Sequence, residues 1–248
     1  MIPGAFPIVA GATFNPQAAS FNGSTYLRRS AGFSSISDGN SGTVSYWVRF
    51  ASVGAQQTIL SSGVNGGDVR FNVLIQASNR YGVSGVSTGN TVYLSAPYSP
   101  SLTASSGVWY HVLISWRTNG SSPTTRVYVN DAQIDSGGVG NGTIDYTQSQ
   151  WNVGADVFNN ARFLNGDLGE LFFIPQFLDL TVTANRRKFV TAAGAPANLN
   201  SDGSAPFGTL PTVYLSGDAA NFGTNRGNGG VLSVGAGSLT TATTRPHL

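Results

Sequence analysis

Asp167 and Glu170 stand three residues apart in Asp167-Leu168-Gly169-Glu170-Leu171. A pair of carboxylates is the machinery of glycoside hydrolysis, one serving as acid and the other as nucleophile or base. Glu170 is the only Glu of the chain. In a regular strand, residues three apart point to opposite faces, so this pair is expected not to cooperate. Gly85-Val86-Ser87-Thr88-Gly89 satisfies the Gly-x-Ser-x-Gly pattern of a hydrolase nucleophile, which needs a strand before it and a helix after it. The stretch that follows, Asn90-Thr91-Val92-Tyr93-Leu94, has the pattern of a strand. The two histidines are His111, inside an apolar strand pattern, and His247, near the C-terminus; neither is placed as a base. Gly138-Val139-Gly140-Asn141-Gly142 lacks the Lys and the following helix of a phosphate loop. The chain is therefore expected to be no enzyme and to carry no cofactor.

Charge excludes further classes. Thirteen basic residues against eleven acidic ones give a net charge of +2, and the basic residues are scattered rather than drawn into a nucleic-acid-binding stripe. Their one cluster, Arg186-Arg187-Lys188, reads as a solvated helix end. With no Cys, disulfides and thiolate metal sites are impossible. The N-terminal stretch has two prolines and no basic region before its apolar residues, so it reads poorly as a secretory signal. No apolar run approaches membrane-spanning length, and membrane insertion is not expected. These features lead to the expectation of a protein made in the cytoplasm and exported only as part of something larger.

The elements that must position these residues are strands. Only 10% of residues are charged while 32 are Gly, the profile of a turn-rich β protein. In Thr43 to Phe50, Val44, Tyr46, Val48 and Phe50 share a core face, and Ser45, Trp47 and Arg49 share a semi-exposed one. From Val108 to Trp116 both faces are apolar, with Trp109, His111 and Leu113 on the reverse, which marks a strand covered on both sides. Further strands are expected at Thr58–Ser61, Val69–Gln76, Arg80–Val86, Thr91–Ser95, Thr125–Asn130, Gln150–Gly154, Leu168–Ile174 and Pro211–Asp218. Asn-Gly or Asp-Gly turns at Asn22, Asp38, Asn65, Asn119 and Asn141 separate them, and turn chemistry accounts for the three glycosylation sequons among these. One helix is expected over Val182–Val190, capped by Thr181. The predicted organisation is an N-terminal arm over 1–17, a sandwich over 18–222, and a Gly/Thr-rich tail over 223–248 that is disordered or ordered by a neighbour. The arm carries Ile2, Phe6, Ile8, Val9 and Phe14, and Pro3 and Pro7 exclude a central strand there, so it is expected to be an assembly element.

Six motifs occur in order: Phe21-Asn22-Gly23 with Tyr26-Leu27, Ser45-Tyr46-Trp47-Val48, Gly107-Val108-Trp109-Tyr110-His111-Val112, Val127-Tyr128-Val129-Asn130-Asp131, Asn152-Val153-Gly154, and Phe163 through Leu171. Together they resemble the laminin G-like, concanavalin A-like jelly rolls over about Ser20 to Leu180. The resemblance implies an all-β antiparallel sandwich that binds rather than transforms. It also implies that Asp131, Asp156 or Asp167 could hold Ca²⁺ with backbone carbonyls. This chain has Asp131 where the family usually has Gly, so a local change of turn is expected. Tyr214 through Asp218 and Phe222 through Gly227 are similar to laminin G-like proteins of tailed bacteriophages. That implies a virion protein for capsid decoration or tail attachment, with other virion proteins and copies of itself as partners. The alternative is a lectin-like module that binds cell-surface glycans. For that reading the expected contact patch is Trp47, Glu170 and Phe172, with Tyr98 and Phe158 from loops, and Glu170 beside the Phe172 ring as a sugar-contact pair.

Overall fold

The computed structural model describes residues 14–64, 67–95, 104–137 and 140–248. Two antiparallel sheets face each other. One contains β1 (Ala19–Asn22), β3 (Ser41–Phe50), β8 (Trp109–Arg117), β9 (Thr124–Val129), β10 (Ala132–Gly137), β12 (Asn165–Ile174), β13 (Val213–Leu215) and β15 (Thr240–Thr241). Its order is β10-β9-β8-β3-β12-β1-β15, with β13 also paired to β12. The other, in the order β14-β2-β11-β4-β5-β6-β7, contains β2 (Tyr26–Arg29), β4 (Gln57–Gly63), β5 (Val69–Ile75), β6 (Tyr81–Val86), β7 (Val92–Ser95), β11 (Gln150–Val153) and β14 (Ser233–Ala236). This is the expected sandwich jelly roll, with α1 (Thr183–Arg186) the one short helix among the described residues.

The core between the sheets is built from alternating residues. Val44, Tyr46, Val48 and Phe50 of β3 and Tyr110, Val112, Ile114 and Trp116 of β8 all point into it. Its centre is aromatic: Phe173 stacks on Phe71 at 5.3 Å and lies 5.7 Å from Trp151 and 5.8 Å from Tyr146. Such pairs add to the area that large rings bury. Trp116 Nε1 donates to Tyr146 Oη at 2.9 Å, so this buried indole is satisfied.

The outer face of the first sheet is covered too. Leu113, Tyr128, Phe172 and Tyr214 pack under Leu178, Leu180, Phe189 and Leu199, while Trp47 and Trp109 pack with Ala18 and Val190. The reverse face of β3, expected to be semi-exposed, is closed at Ser45, which is buried, and at Trp47, which is 1% exposed, and stays part-open at Arg49. The helix is also shorter than Val182–Val190. Its N-cap is Val182 with no side-chain cap, Thr181 instead turns back onto Asp179, and Phe189 and Val190 leave the helix to seal the sheet. Asp131 takes the left-handed conformation that favours Gly, at φ 64°. Its carboxylate accepts from Arg186 Nε and Arg187 Nη2, each at 2.6 Å, which ties the helix to the β9–β10 turn.

The tail differs from expectation. β14 pairs with β2 and β15 with β1, so residues 223–248 supply an outermost strand to each sheet. The chain itself orders them: Leu232 is buried, and the Asn225 side chain joins Tyr214 N, Thr212 O and Gly230 O. Residues 1–13 of the expected arm lie outside the described residues, and Phe14 is half-buried.

Candidate functional site

One transverse row of the first sheet concentrates polar chemistry. Strand registers place Thr240 opposite Ser20, Ser20 opposite Asp167, Asp167 opposite Arg49, and Arg49 opposite Trp109. Five strands, β15, β1, β12, β3 and β8, thus contribute one residue each. Opposed residues on one face of a sheet bring their side chains into contact range. Ser20 Oγ donates to Asp167 Oδ1, and Arg49 Nε donates to Asp167 Oδ2 at 2.7 Å with Nη2 at 2.5 Å. The Asp167 side chain is 3% exposed and that of Arg49 is 27% exposed, so the acid forms the floor and the guanidinium faces outward. Trp109 Nε1 donates to Thr244 Oγ1 at 3.0 Å, which holds the C-terminal segment beside the row.

Close strand approach is built in at Gly166. Its φ is 154°, and a Cβ there would lie 2.2 Å from the Arg49 carbonyl oxygen, so no larger residue lets β12 meet β3 this way.

Two cavities open along the row. One, of about 510 Å³, is lined by Ser20, Asn22, Arg49, Asn165, Asp167 and Thr240, among others; the other, of about 470 Å³, is lined by Arg49, Trp109, Asn130, Thr244 and His247. They share Arg49 and Gly107, and both have the size of small-ligand sites. The lining offers hydroxyls, amides and a guanidinium, groups that donate to and accept from ring hydroxyls. Asp167 is the one acidic side chain lining either cavity among the described residues. Acid–base catalysis at a glycosidic bond needs a second.

Glu170 does share the outer face with Asp167, contrary to the regular-strand expectation. A bulge between Gly169 and Phe172, with Glu170 at φ 49°, resets the alternation, so that Leu168 and Leu171 both point to the core. At this bulge the free edge of β12 changes partner from β1 to β13. Glu170 is nevertheless walled in. It accepts from Tyr214 Oη at 2.7 Å and from Ser216 Oγ, is 2% exposed, and lines neither cavity. Burial pushes its pKa up to about 7, against the hydrogen bonds from Ser216 and Tyr214 and the charge of Arg226. Burial pushes His111 down to about 3; its Nε2 lies 2.9 Å from Ser45 Oγ, and its ring packs at a tilt against Trp47, 4.9 Å between centres.

With this geometry, a family model described as the concanavalin A-like lectin/glucanases superfamily matches residues 21–178. The chain belongs to that superfamily. Among solved structures, one described as a "putative carbohydrate binding protein" from Bacteroides ovatus is similar at 15% identity with a TM-score of 0.64, covering 94% of this chain and 61% of that one. This chain thus spans less than two thirds of that protein's length. A heptameric SAP-like pentraxin from Limulus polyphemus is similar at 18% identity and a TM-score of 0.50, over 67% of this chain and 79% of that one. The NanB sialidase of Streptococcus pneumoniae is similar at 16% identity and a TM-score of 0.50, over 67% of this chain and 27% of that one. At these identities the likeness is one of fold. No curated protein matches the chain.

Within this superfamily fold, the sequence-predicted contact patch is not assembled. Trp47 is covered, Phe172 is clamped between Phe189 at 5.2 Å and Phe207 at 6.0 Å, and Glu170 is occupied by Tyr214 and Ser216. None of the three can meet a sugar in this packing, because the segment after β12 lies over their face. Phe158 is 44% exposed in the loop after β11, on the other sheet, and Tyr98 lies outside the described residues. The expected calcium ligands are each committed to arginine: Asp131 to Arg186 and Arg187, Asp156 to Arg162, and Asp167 to Arg49. A cation would have to displace a guanidinium at each, and no group of three acidic, His or Cys side chains forms among the described residues. Sequence reading missed the row itself. The one signal was the alternation that puts Arg49 and Trp109 on the reverse faces of their strands; the partners Ser20, Asp167 and Thr240 required the register.

Proposed function

We propose that this protein is a non-catalytic carbohydrate-binding module whose glycan lies along the Thr240–Ser20–Asp167–Arg49–Trp109 row. The observation that carries this is the row itself: one guanidinium fixed by one buried acid, flanked by hydroxyls and amides, over two adjoining cavities. The similarity to a structure described as a putative carbohydrate binding protein supports the same reading. Arg49 is the principal ligand donor, and Asp167 orients it. Hydrogen bonds to charged groups contribute about 1.5–3 kcal/mol. Losing Arg49 should therefore weaken binding roughly 10- to 100-fold.

The test is a neutral-oligosaccharide array followed by calorimetry on the hits. Removing Arg49 alone would strand a buried carboxylate, so the variant is the pair Arg49→Gln with Asp167→Asn, which keeps a neutral hydrogen bond. Binding by the wild type that this pair reduces at least 10-fold, with an unchanged melting temperature, is expected. No binding, or binding indifferent to the pair, refutes the assignment. Glycan cleavage that Asp167→Asn abolishes would replace a module with a hydrolase.

The setting we propose is a bacteriophage particle, on the capsid surface or tail, with repeated copies supplying avidity. What favours it is the sequence: a Cys-free chain, an apolar Pro-punctuated arm, and an ending similar to laminin G-like phage proteins.

A further inference from the structure

Six Asn-Gly steps occur in the chain, at Asn22, Asn65, Asn119, Asn141, Asn165 and Asn228. At such a step the main-chain nitrogen of Gly can attack the Asn side chain, because Gly has no Cβ in the way and reaches backbone conformations that other residues avoid. Two groups must be free for the attack. The Gly N–H has to lose its proton, and the Asn side chain has to swing onto the nitrogen. Asn65 and Gly66 lie outside the described residues, and the other five steps are held very differently.

Four of them are restrained. Gly23 N donates to Leu164 O at 3.0 Å, and Asn22 Oδ1 accepts from Ser24 N and Thr25 N, each at 3.1 Å. Gly142 N donates to Thr118 O at 2.7 Å, and Gly142 is pressed against Tyr93, where a Cβ would lie 2.3 Å from a ring carbon. Gly229 N donates to Thr212 O at 3.0 Å, and Asn228 Oδ1 accepts from Ser35 Oγ at 2.8 Å. Gly166 is paired on both sides, with Phe21 of β1 and Phe50 of β3, and Asn165 Nδ2 donates to Ser52 Oγ at 3.1 Å.

Asn119 is the exception among the described steps. It and Gly120 are exposed in the turn between β8 and β9, and neither the Asn119 side chain nor the Gly120 N–H has a hydrogen-bond partner. Gly120 stands at φ 80° with nothing within 4 Å of where a Cβ would be. Thr118, one residue earlier, is pinned by its N–H to Asn40 O at 2.6 Å, so the freedom begins at Asn119. A hydrogen bond that must open before reaction slows it several-fold, and two together slow it roughly 10-fold or more.

We propose that Asn119 is a site of spontaneous deamidation, converted in the folded protein to aspartate and isoaspartate. Gly120 N gives its proton to hydroxide and forms a bond to Asn119 Cγ. The side-chain nitrogen leaves as ammonia, taking a proton from water, and a five-membered succinimide remains. Water then adds to one ring carbonyl as its bond to nitrogen breaks and the nitrogen recovers a proton. Opening at Cγ leaves aspartate, and opening at the main-chain carbonyl leaves isoaspartate, with the chain running through Cβ. Water enters, ammonia leaves, and nothing is oxidised or reduced. The protein thus gains one negative charge beyond the Arg117 end of β8, whereas the Arg49 row meets β8 at Trp109, its first residue.

The experiment is incubation of the full chain at pH 8 and 37 °C, followed by tryptic mapping against an unincubated sample. Cleavage after Arg117 and Arg126 releases the peptide 118–126, in which Asn119 is the only Asn. Its exchange of NH₂ for OH, read by mass, should run roughly 10-fold or more faster than at Asn22, Asn141, Asn165 and Asn228. Electron-transfer fragmentation should show isoaspartate beside aspartate. In urea, where the restraining bonds are gone, the five rates should converge. Asn119→Gln, at an exposed position, should abolish the change in this peptide with the melting temperature unchanged, because glutamine would have to close a six-membered ring. No change at Asn119 in the folded chain, equal change at the four restrained steps, rates that stay apart in urea, or a change that persists in Asn119→Gln overturns the proposal.

Discussion

Replacing Glu170 by Gln should make the protein more stable at pH 8 and leave it nearly unchanged at pH 4.5. Burial raises the pKa of Glu170 from 4.5 to about 7, so the folded state holds a proton that the unfolded chain has released. Stability from this group is therefore fully present below pH 4.5, falls as pH rises, and is lost above about 7. At about 1.4 kcal/mol per pH unit, the interval is worth about 3 kcal/mol. Gln keeps the shape, stays neutral throughout and can still bond Tyr214 and Ser216. Any fixed effect of the amide cancels when two pH values are compared, as do the other titrating groups. The assay is urea unfolding of both proteins at pH 4.5, 6, 7 and 8. The stability of the variant minus that of the wild type should grow by about 3 kcal/mol across the series, or roughly 6–12 °C in melting temperature for a chain of this size. A difference that does not change with pH, or that grows toward acid, would refute the assignment of a neutral, walled-in Glu170.

His111 should resist protonation. Its pKa is held near 3, so its imidazole resonances should not move between pH 8 and 5, and the stability it contributes should be lost only as pH falls from about 6.5 toward 3; movement of the His111 resonances between pH 8 and 5 would contradict its burial. Deleting residues 2 to 14 should leave the sandwich folded and soluble while abolishing its incorporation into an oligomer or particle, read by light scattering and co-sedimentation. Unfolding of the truncated chain would place the arm in the core.

The strands and the sandwich were legible because they are local patterns. Period-two alternation in Thr43–Phe50 and Val108–Trp116, and Asn-Gly turns between runs, follow from backbone geometry that neighbours do not alter. The helix was misjudged in length because burial of Phe189 and Val190 overrode a weak helical preference. The tail was misjudged because its composition cannot build a core, yet an edge strand needs only a partner's backbone, and β1 and β2 supply it.

By itself, then, the sequence determined the class: too few carboxylates for an obvious hydrolase, no cysteine, scattered charge and alternating strands in a recognisable order. What only the tertiary structure decided is which side chains meet. Trp47 and Phe172 read as surface aromatics until the segment after β12 closed over them. Asp167 and Glu170 were assigned to opposite faces until a bulge shifted the alternation by one residue. Ser20, Arg49, Trp109, Asp167 and Thr240 span more than two hundred positions of the chain, and only strand register sets them in one row. Register arises from long-range pairing and shared burial, and no local pattern encodes it.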